Sequence, residues 1–228
     1  MWYDDLPKDK SWATLWSGYT ICGSCSAIRT LSAKCPVCGA DVFHGGLFTV
    51  RDDKGREYQV ASAVPGAEGS YEDWIYLRML EREWKRPISE DELFQKMGFS
   101  PRAAIVVLFW SYFETRVERL LRAGMRDVPQ NIIEDCLQRN SSIGSRLDRF
   151  YRVVFASTYS ADLNKLGYGD IWQYLAEVQA RRNEFAHGKP RAIDDALAET
   201  VIDKLKGEHE SWISVFNMRT ARVPAANV

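Results

Sequence analysis

Four of the five cysteines lie in two close pairs near the start of the chain. Cys22 and Cys25 form one Cys-x-x-Cys pair, and Cys35 and Cys38 form the other. Each pair can turn as a tight knuckle that aims two thiolates at one point, and two knuckles complete the tetrahedral sulfur set of closed zinc sites. The doubled spacing predicts one structural zinc ion per chain rather than unrelated thiols or redox pairs. With cysteine at all four positions, no ligand position remains for a catalytic water.

An arginine occupies the apolar side of a helix predicted over residues 169–187. Wound at 3.6 residues per turn, this helix places four apolar side chains within about 60° of Arg182: Ile171, Leu175, Val178 and Phe185. Burial of an unpaired guanidinium is costly, so Arg182 needs an ionic partner or a cleft. Glu114 also faces an apolar side of its predicted helix, and we predict that the two side chains meet. The pair would then either serve a site or only fix the packing of the helices.

Further polar side chains gather where the same helix ends. Asn183 and His187 are four residues apart and are therefore neighbours on the helix surface. Gly188 and Pro190 then stop the helix. Three more cations surround this end: Arg181, Lys189 and Arg191. The concentration of positive charge and hydrogen-bond donors suits a bound phosphate group.

The run Arg182-Asn183-Glu184-Phe185-Ala186-His187-Gly188 resembles the Arg-Asn-x-x-x-His motif of the HEPN superfamily, whose members are all-helical and include many metal-independent endoribonucleases. The resemblance implies RNA as the substrate, attack by its 2′-hydroxyl group without a catalytic cofactor, and a homodimer that brings two motifs into one cleft. It implies catalytic roles for Arg182, Asn183, His187 and Glu114, with phosphate binding by the surrounding cations. A toxin or antiviral defence role with a regulatory protein partner is what this family suggests.

The elements that must position these residues change character along the chain. Strand-forming runs occupy residues 20–62, and helical periodicity extends from residue 71 almost to the end. We therefore predict a mostly α protein, a helical bundle preceded by a small β zinc ribbon. The predicted organisation is a ribbon with an N-terminal arm over 1–62, a linker over 63–70 and a HEPN-like helical domain over 71–228. Predicted helices span 71–85, 102–123, 130–139, 143–157, 169–187 and 194–218.

Composition limits the partners that the chain can have. The 30 basic and 31 acidic residues leave a net charge of -1, so any polyanion site must be a local patch. No run approaches 18 apolar residues, and the first residues lack a basic region followed by an apolar run. These features predict a cytoplasmic protein without a membrane span.

Three alternatives to a ribonuclease remain open at this point. The helical domain could be a noncatalytic HEPN-like module that binds a nucleotide, RNA or protein and docks through its zinc ribbon. A zinc-ribbon regulator that binds DNA is disfavoured because no helix-turn-helix with a basic recognition helix is visible. A zinc hydrolase is disfavoured because no cluster of histidine and carboxylate ligands with an open position is visible.

Overall fold

The computed structural model describes residues 19–22, 25, 27–30, 34–40, 47–51, 57–61, 68–87 and 96–221. Over these residues the protein is mostly helical, as predicted. The predicted N-terminal arm and most of the predicted linker lie outside the described residues, as do Ser89 and Glu92, whose three-residue spacing predicts a helix N-cap.

Two short antiparallel strand pairs precede the helices. Strands β1 (Tyr19–Ile21) and β2 (Ile28–Thr30) pair with Thr20 opposite Arg29. Strands β3 (Leu47–Arg51) and β4 (Glu57–Ala61) pair with Thr49 opposite Gln59.

Four long helices carry most of the structure, and shorter segments connect the second to the third. The long helices are α1 (Glu68–Lys85), α2 (Ala103–Gly124), α7 (Gly169–Ala186) and α8 (Asp195–Thr220). Between them lie α3 (Gln130–Arg139), α4 (Ile143–Ser145), a π-helical segment (Arg146–Phe150), α5 (Tyr151–Phe155) and α6 (Tyr159–Lys165). A 3₁₀ turn, Pro190–Ala192, joins α7 to α8.

Side-chain contacts fix the directions of the long helices. Helix α1 runs antiparallel to α2, since Asp73 pairs with Arg119 at 2.8 Å while Trp84 lies against Arg102 at the opposite end. Helices α2 and α8 are parallel, because Ser100 contacts Asp195 near their starts and the Arg116 carbonyl contacts Trp212 further along. Helix α7 is antiparallel to α8, with Asp170 near Lys204 and Arg181 near Asp194. The four long helices therefore alternate in direction around one core.

Aromatic side chains fill that core. Trp110 and Phe113 of α2 have ring centroids 5.3 Å apart, and Phe109 packs on Tyr174 of α7 at 5.8 Å. All four side chains are buried. Such contacts bury large areas and favour tilted ring geometry.

The helix predictions agree closely with the structure except over residues 143–165, where α6 (Tyr159–Lys165) has no predicted counterpart. Helix α1 begins at Glu68, inside the predicted linker, and the remaining long helices start and end within two residues of prediction. The single helix predicted over 143–157 is instead interrupted by the π-helical segment and ends at Phe155. Ala156 then adopts a left-handed conformation with φ of 53°, which stops the helix without glycine.

None of the described helices combines the length and apolar character needed to cross a membrane.

Candidate functional site

The four paired cysteines come together, as their spacing predicts. Their sulfur atoms all lie within 4.8 Å of one another. Cys22 is 3.7 Å from Cys38 and Cys25 is 3.8 Å from Cys35, measured between Sγ atoms. A regular tetrahedron with metal–sulfur bonds of about 2.3 Å has sulfur atoms about 3.8 Å apart. The cluster can therefore hold a metal ion, and its donor set is compatible with structural zinc.

The backbone around the two cysteine pairs is alike. The N–H groups of Cys22 and Cys35 donate to carbonyls five residues ahead, those of Ala27 and Ala40, each at 2.8 Å. Gly39 has a φ of 73°, so this tight turn uses a conformation that favours glycine. Burial raises the pKa of the Cys25 thiol to about 12, while a hydrogen bond from the Ala27 backbone acts in the opposite direction.

The cysteine module, which comprises the four paired cysteines and strands β1 and β2, packs against helix α8. The Asn217 side chain binds both backbone groups of Ile28 in strand β2. The Ile28 N–H donates to Oδ1 at 2.7 Å, and Nδ2 donates to the Ile28 carbonyl at 2.5 Å. Ala221 packs against the cysteine cluster. The sequence offers no sign of this contact, because Asn217 becomes recognisable only when α8 and β2 are adjacent.

The second group of predicted residues lies at the end of α7. The helix closes with paired hydrogen bonds, from the Gly188 N–H to the Phe185 carbonyl at 3.1 Å and from the Lys189 N–H to the Glu184 carbonyl at 3.0 Å. Gly188 has a φ of 84°. This is the Schellman arrangement, in which a left-handed glycine ends the helix. It fixes His187 as the last residue before the turn, with an exposed side chain.

Arg182 is half-buried, as is Asn183. The Nη1 atom of Arg182 donates to Oδ1 of Asn183 at 3.1 Å. Within the described part of the chain, no carboxylate forms an ion pair with Arg182. The fully buried residues of α7 end at Val178, so Arg182 lies where the apolar face opens toward solvent.

Glu114 occupies a different place from the one predicted. Its carboxylate accepts a hydrogen bond from Nε1 of Trp110 at 2.7 Å, and no ion pair to Arg182 is present among the described residues. The reason is the antiparallel packing of α2 and α7. Glu114 lies five residues beyond Phe109 on α2, and Arg182 lies eight residues beyond Tyr174 on α7. Because the helices are antiparallel, the two residues lie on opposite sides of the Phe109–Tyr174 contact, about 20 Å apart along the helix axes.

The three surrounding cations are held in different ways. Arg181 donates to the Ala192 carbonyl and pairs with Asp194 at 2.7 Å, so its charge is compensated. Lys189 lies 3.5 Å from Glu184 in an exposed pair. Arg191 instead donates through Nε to the Met97 carbonyl at 2.9 Å. Of the three, Arg191 keeps the least compensated charge.

The buried ion pair of the bundle joins Arg116 to Glu208, at 2.5 Å with both side chains fully buried. The Arg116 guanidinium also lies over the rings of Trp212 at 4.3 Å and Tyr112 at 4.7 Å. Burial raises the pKa of Glu208, and the adjacent guanidinium opposes that shift. Arg116 could also have been recognised from the sequence as a cation on an apolar helix face, because Phe113 and Leu120 flank it at helical spacing.

A comparison with models of protein families, with curated proteins and with solved structures finds no match to this chain.

Proposed function

We propose that this protein is a metal-independent endoribonuclease whose catalytic groups are Arg182, Asn183 and His187. The observation that carries the proposal is the state of Arg182: a half-buried guanidinium oriented by a neutral amide, with no carboxylate in an ion pair with it over the described residues. Because no carboxylate neutralises it, such a guanidinium can attract and bind an incoming anion. The exposed imidazole of His187 lies one helical turn beyond Asn183.

RNA carries its own nucleophile. In the proposed reaction the 2′-oxygen attacks the adjacent phosphorus and the bond to the 5′-oxygen breaks. One group accepts the proton of the 2′-hydroxyl, and another protonates the departing 5′-oxygen. The products are a 2′,3′-cyclic phosphate and a free 5′-hydroxyl, and DNA resists because it lacks the nucleophile.

Each side chain has a role that its chemistry allows. His187 takes or gives a proton, the role that histidine fills most often in general acid–base catalysis. Arg182 binds the nonbridging oxygens of the phosphate through its planar fork. Asn183 orients Arg182 through Oδ1, the role that the sequence analysis gave to Glu114.

One chain supplies one histidine at this site, whereas the reaction needs both a base and an acid. We therefore propose a homodimer that brings two copies of the site into one cleft, so that one His187 accepts a proton while the other donates one. The HEPN resemblance, a cytoplasmic location and a toxin or defence role belong to the same proposal.

We propose further that the cysteine cluster is a zinc ribbon whose ion is structural. All four cluster positions carry thiols, the donor set of closed zinc sites. The ion would hold the knuckles together and supply no chemistry at Arg182.

The test is cleavage of an oligodeoxynucleotide that contains one ribonucleotide, in buffer without divalent cations. We expect a single cut on the 3′ side of the ribonucleotide and none in the all-DNA strand. His187→Ala and Arg182→Ala should each reduce the rate by at least about 100-fold. Arg152→Ala is the matched control, since Arg152 is exposed and lies at the opposite end of the bundle.

Cleavage by folded, dimeric His187→Ala protein at the normal rate would refute the catalytic assignment. Binding of the strand without cleavage by the normal protein would favour the noncatalytic binding module.

A further inference from the structure

Three arginines at one end of the bundle are oriented by neutral groups rather than by carboxylates. Arg182 is held by the Asn183 amide, Arg191 by the Met97 carbonyl, and Arg102 by the Trp84 ring at 4.0 Å. The remaining arginines with side-chain partners in the described part of the chain each pair with a carboxylate. The three are thus positioned without being neutralised.

Contacts along the chain bring Arg102 and Arg191 to this end of the bundle. The Nε atom of Arg191 reaches the Met97 carbonyl and lies against Gly98, where an added Cβ would be 3.1 Å away. Arg102 is half-buried, and its Nε atom is buried without a hydrogen-bond partner. No described protein group accepts a hydrogen bond from this nitrogen, and its burial without an acceptor is costly.

Helix geometry places Arg102 and Arg182 at about the same level along the helix axes. The Phe109–Tyr174 ring contact, with centroids 5.8 Å apart, joins α2 to α7. Arg102 precedes Phe109 by seven residues, and Arg182 follows Tyr174 by eight, which is about two helical turns in each case. Because the two helices are antiparallel, both arginines lie about 10–12 Å beyond the ring contact in the same direction.

Among the described residues, the carboxylates of Asp194 and Asp195 at this end are engaged by other groups. Asp194 caps α8 by accepting the Leu197 N–H at 2.8 Å and also pairs with Arg181. Asp195 accepts the Ser100 hydroxyl at 2.5 Å. The first turn of α2 contains no acidic residue. The positive end of that helix dipole therefore adds to the field of the arginines.

We propose that Arg102 and Arg191 bind backbone phosphates of a single-stranded nucleic acid on either side of the phosphate held by Arg182. The inference rests on the proposed function and extends its site from α7 to the start of α2 and the 3₁₀ turn. Arg191 is among the cations that the sequence predicts to bind phosphate, whereas Arg102 is not. Fixed guanidiniums on three separate elements suit successive phosphates of a strand better than one isolated anion.

The test measures binding of a fluorescein-labelled single-stranded oligodeoxynucleotide by anisotropy, which separates binding from cleavage because DNA lacks the 2′-hydroxyl. We expect Arg102→Gln to weaken binding about five- to tenfold and to lower the slope of log Kd against log salt by about 0.7, the value for one lost phosphate contact. Arg191→Gln should reduce the affinity and the salt slope by similar amounts. Arg152→Gln removes the same charge from the exposed surface of α5 and should change neither quantity.

Arg102→Lys provides a second variant if the glutamine protein unfolds. It keeps the charge above Trp84, so it should retain the salt slope while losing part of the affinity. Equal affinity and slope for Arg102→Gln and Arg152→Gln would overturn the inference, as would failure of the normal protein to bind the strand. Binding that depends on Arg102 in a protein that cannot cleave RNA would uphold the inference while refuting the proposed nuclease.

Competition distinguishes a strand from a free nucleotide as the source of the phosphate. Adenosine monophosphate should displace the labelled strand only at concentrations at least about 100-fold above the Kd of the strand, since it offers one phosphate to three arginines. Displacement at concentrations near that Kd would assign the site to a free nucleotide and would overturn the proposal of a strand.

Discussion

At the scale of single residues, Arg116 places a positive charge inside the bundle core. Its guanidinium is fully buried, donates to Glu208, and lies between the rings of Tyr112 and Trp212. Its Nη2 atom also donates to the His209 carbonyl at 3.3 Å. A buried ion pair often adds little net stability, but removal of one partner leaves an uncompensated charge in a medium of low polarity. The pair therefore constrains how α2 and α8 can pack.

We expect Glu208→Gln to lower the free energy of unfolding by about 3–5 kcal/mol, because the Arg116 charge loses its counterion. Replacement of both partners, Arg116→Met with Glu208→Leu, should recover most of the loss. Urea unfolding monitored by circular dichroism measures both. The control is Asp135→Asn, which breaks the exposed pair with Arg139 and should change the midpoint little. Equal effects of Glu208→Gln and Asp135→Asn would show that the buried pair is not an ionic contact.

The sequence predicts single residues well when their partners are close along the chain. The cysteine cluster could be found because its ligands lie within a short segment and two identical spacings define it. Arg182, Asn183 and His187 share one helix end, so their proximity is also local. The Glu114 prediction differs from the structure because a helical wheel gives the side of a helix and not the level along its axis. That level depends on whether the helices run parallel or antiparallel.

At the scale of elements, the end of α7 depends on one glycine. Gly188 has a φ of 84°, and an added Cβ would meet no atom within 4 Å. A substitution there would strain the backbone without causing a steric clash. Because His187 immediately precedes this turn, the strain would act on the candidate catalytic residue.

We expect Gly188→Ala to destabilise the protein by about 1 kcal/mol, the cost of a left-handed conformation in a residue with a Cβ. RNA cleavage should fall by more than stability explains, because the His187 side chain would be displaced. Gly144→Ala is the matched control: it also meets no atom within 4 Å but has no positive φ and lies in α4, so it should not lower stability and should leave the cleavage rate unchanged. Thermal unfolding and the cleavage rate together provide the measurement, and identical behaviour of the two variants would argue against a role for the turn.

The long helices could be predicted because capping residues and apolar periodicity agree over many turns. The interrupted stretch from Ile143 to Phe155 could not, because its π-helical turn continues the same apolar pattern. A π-helical turn differs from an α-helical turn by one extra residue, so the interruption leaves little trace in the sequence.

At the scale of the whole molecule, the cysteine module and the arginines lie at opposite ends of α8. Asn217 binds strand β2 near the end of the helix, whereas Asp195 lies beside Ser100 at its start. Asn217 follows Asp195 by 22 residues, which corresponds to about 33 Å of helix. The cysteines also form a small cluster of their own, whereas Ile28 of β2 is buried in the core of the bundle.

Metal removal should therefore release the cysteine module and leave the bundle folded. We expect Cys35→Ser to lose bound zinc and its contact through Asn217, with the helical signal and cleavage of a short RNA nearly unchanged. Metal analysis, circular dichroism and the cleavage rate measure the three effects. Cys136→Ser is the control, because Cys136 is half-buried on α3 outside the cluster and should keep the metal. If Cys35→Ser loses both zinc and cleavage activity while its bundle stays folded, this separation would be contradicted.

The length of α8 also limits what an ion at the cysteines can do electrically. Salt at physiological strength screens charges over about 8 Å, so about four such lengths separate the two poles of this helix. The charge of an ion that binds or leaves at one end would therefore have little effect on a phosphate bound at the proposed site at the other end. Any coupling between the two ends must therefore pass through the packing of α8, and the proposed reaction does not depend on the charge of an ion at the cysteines.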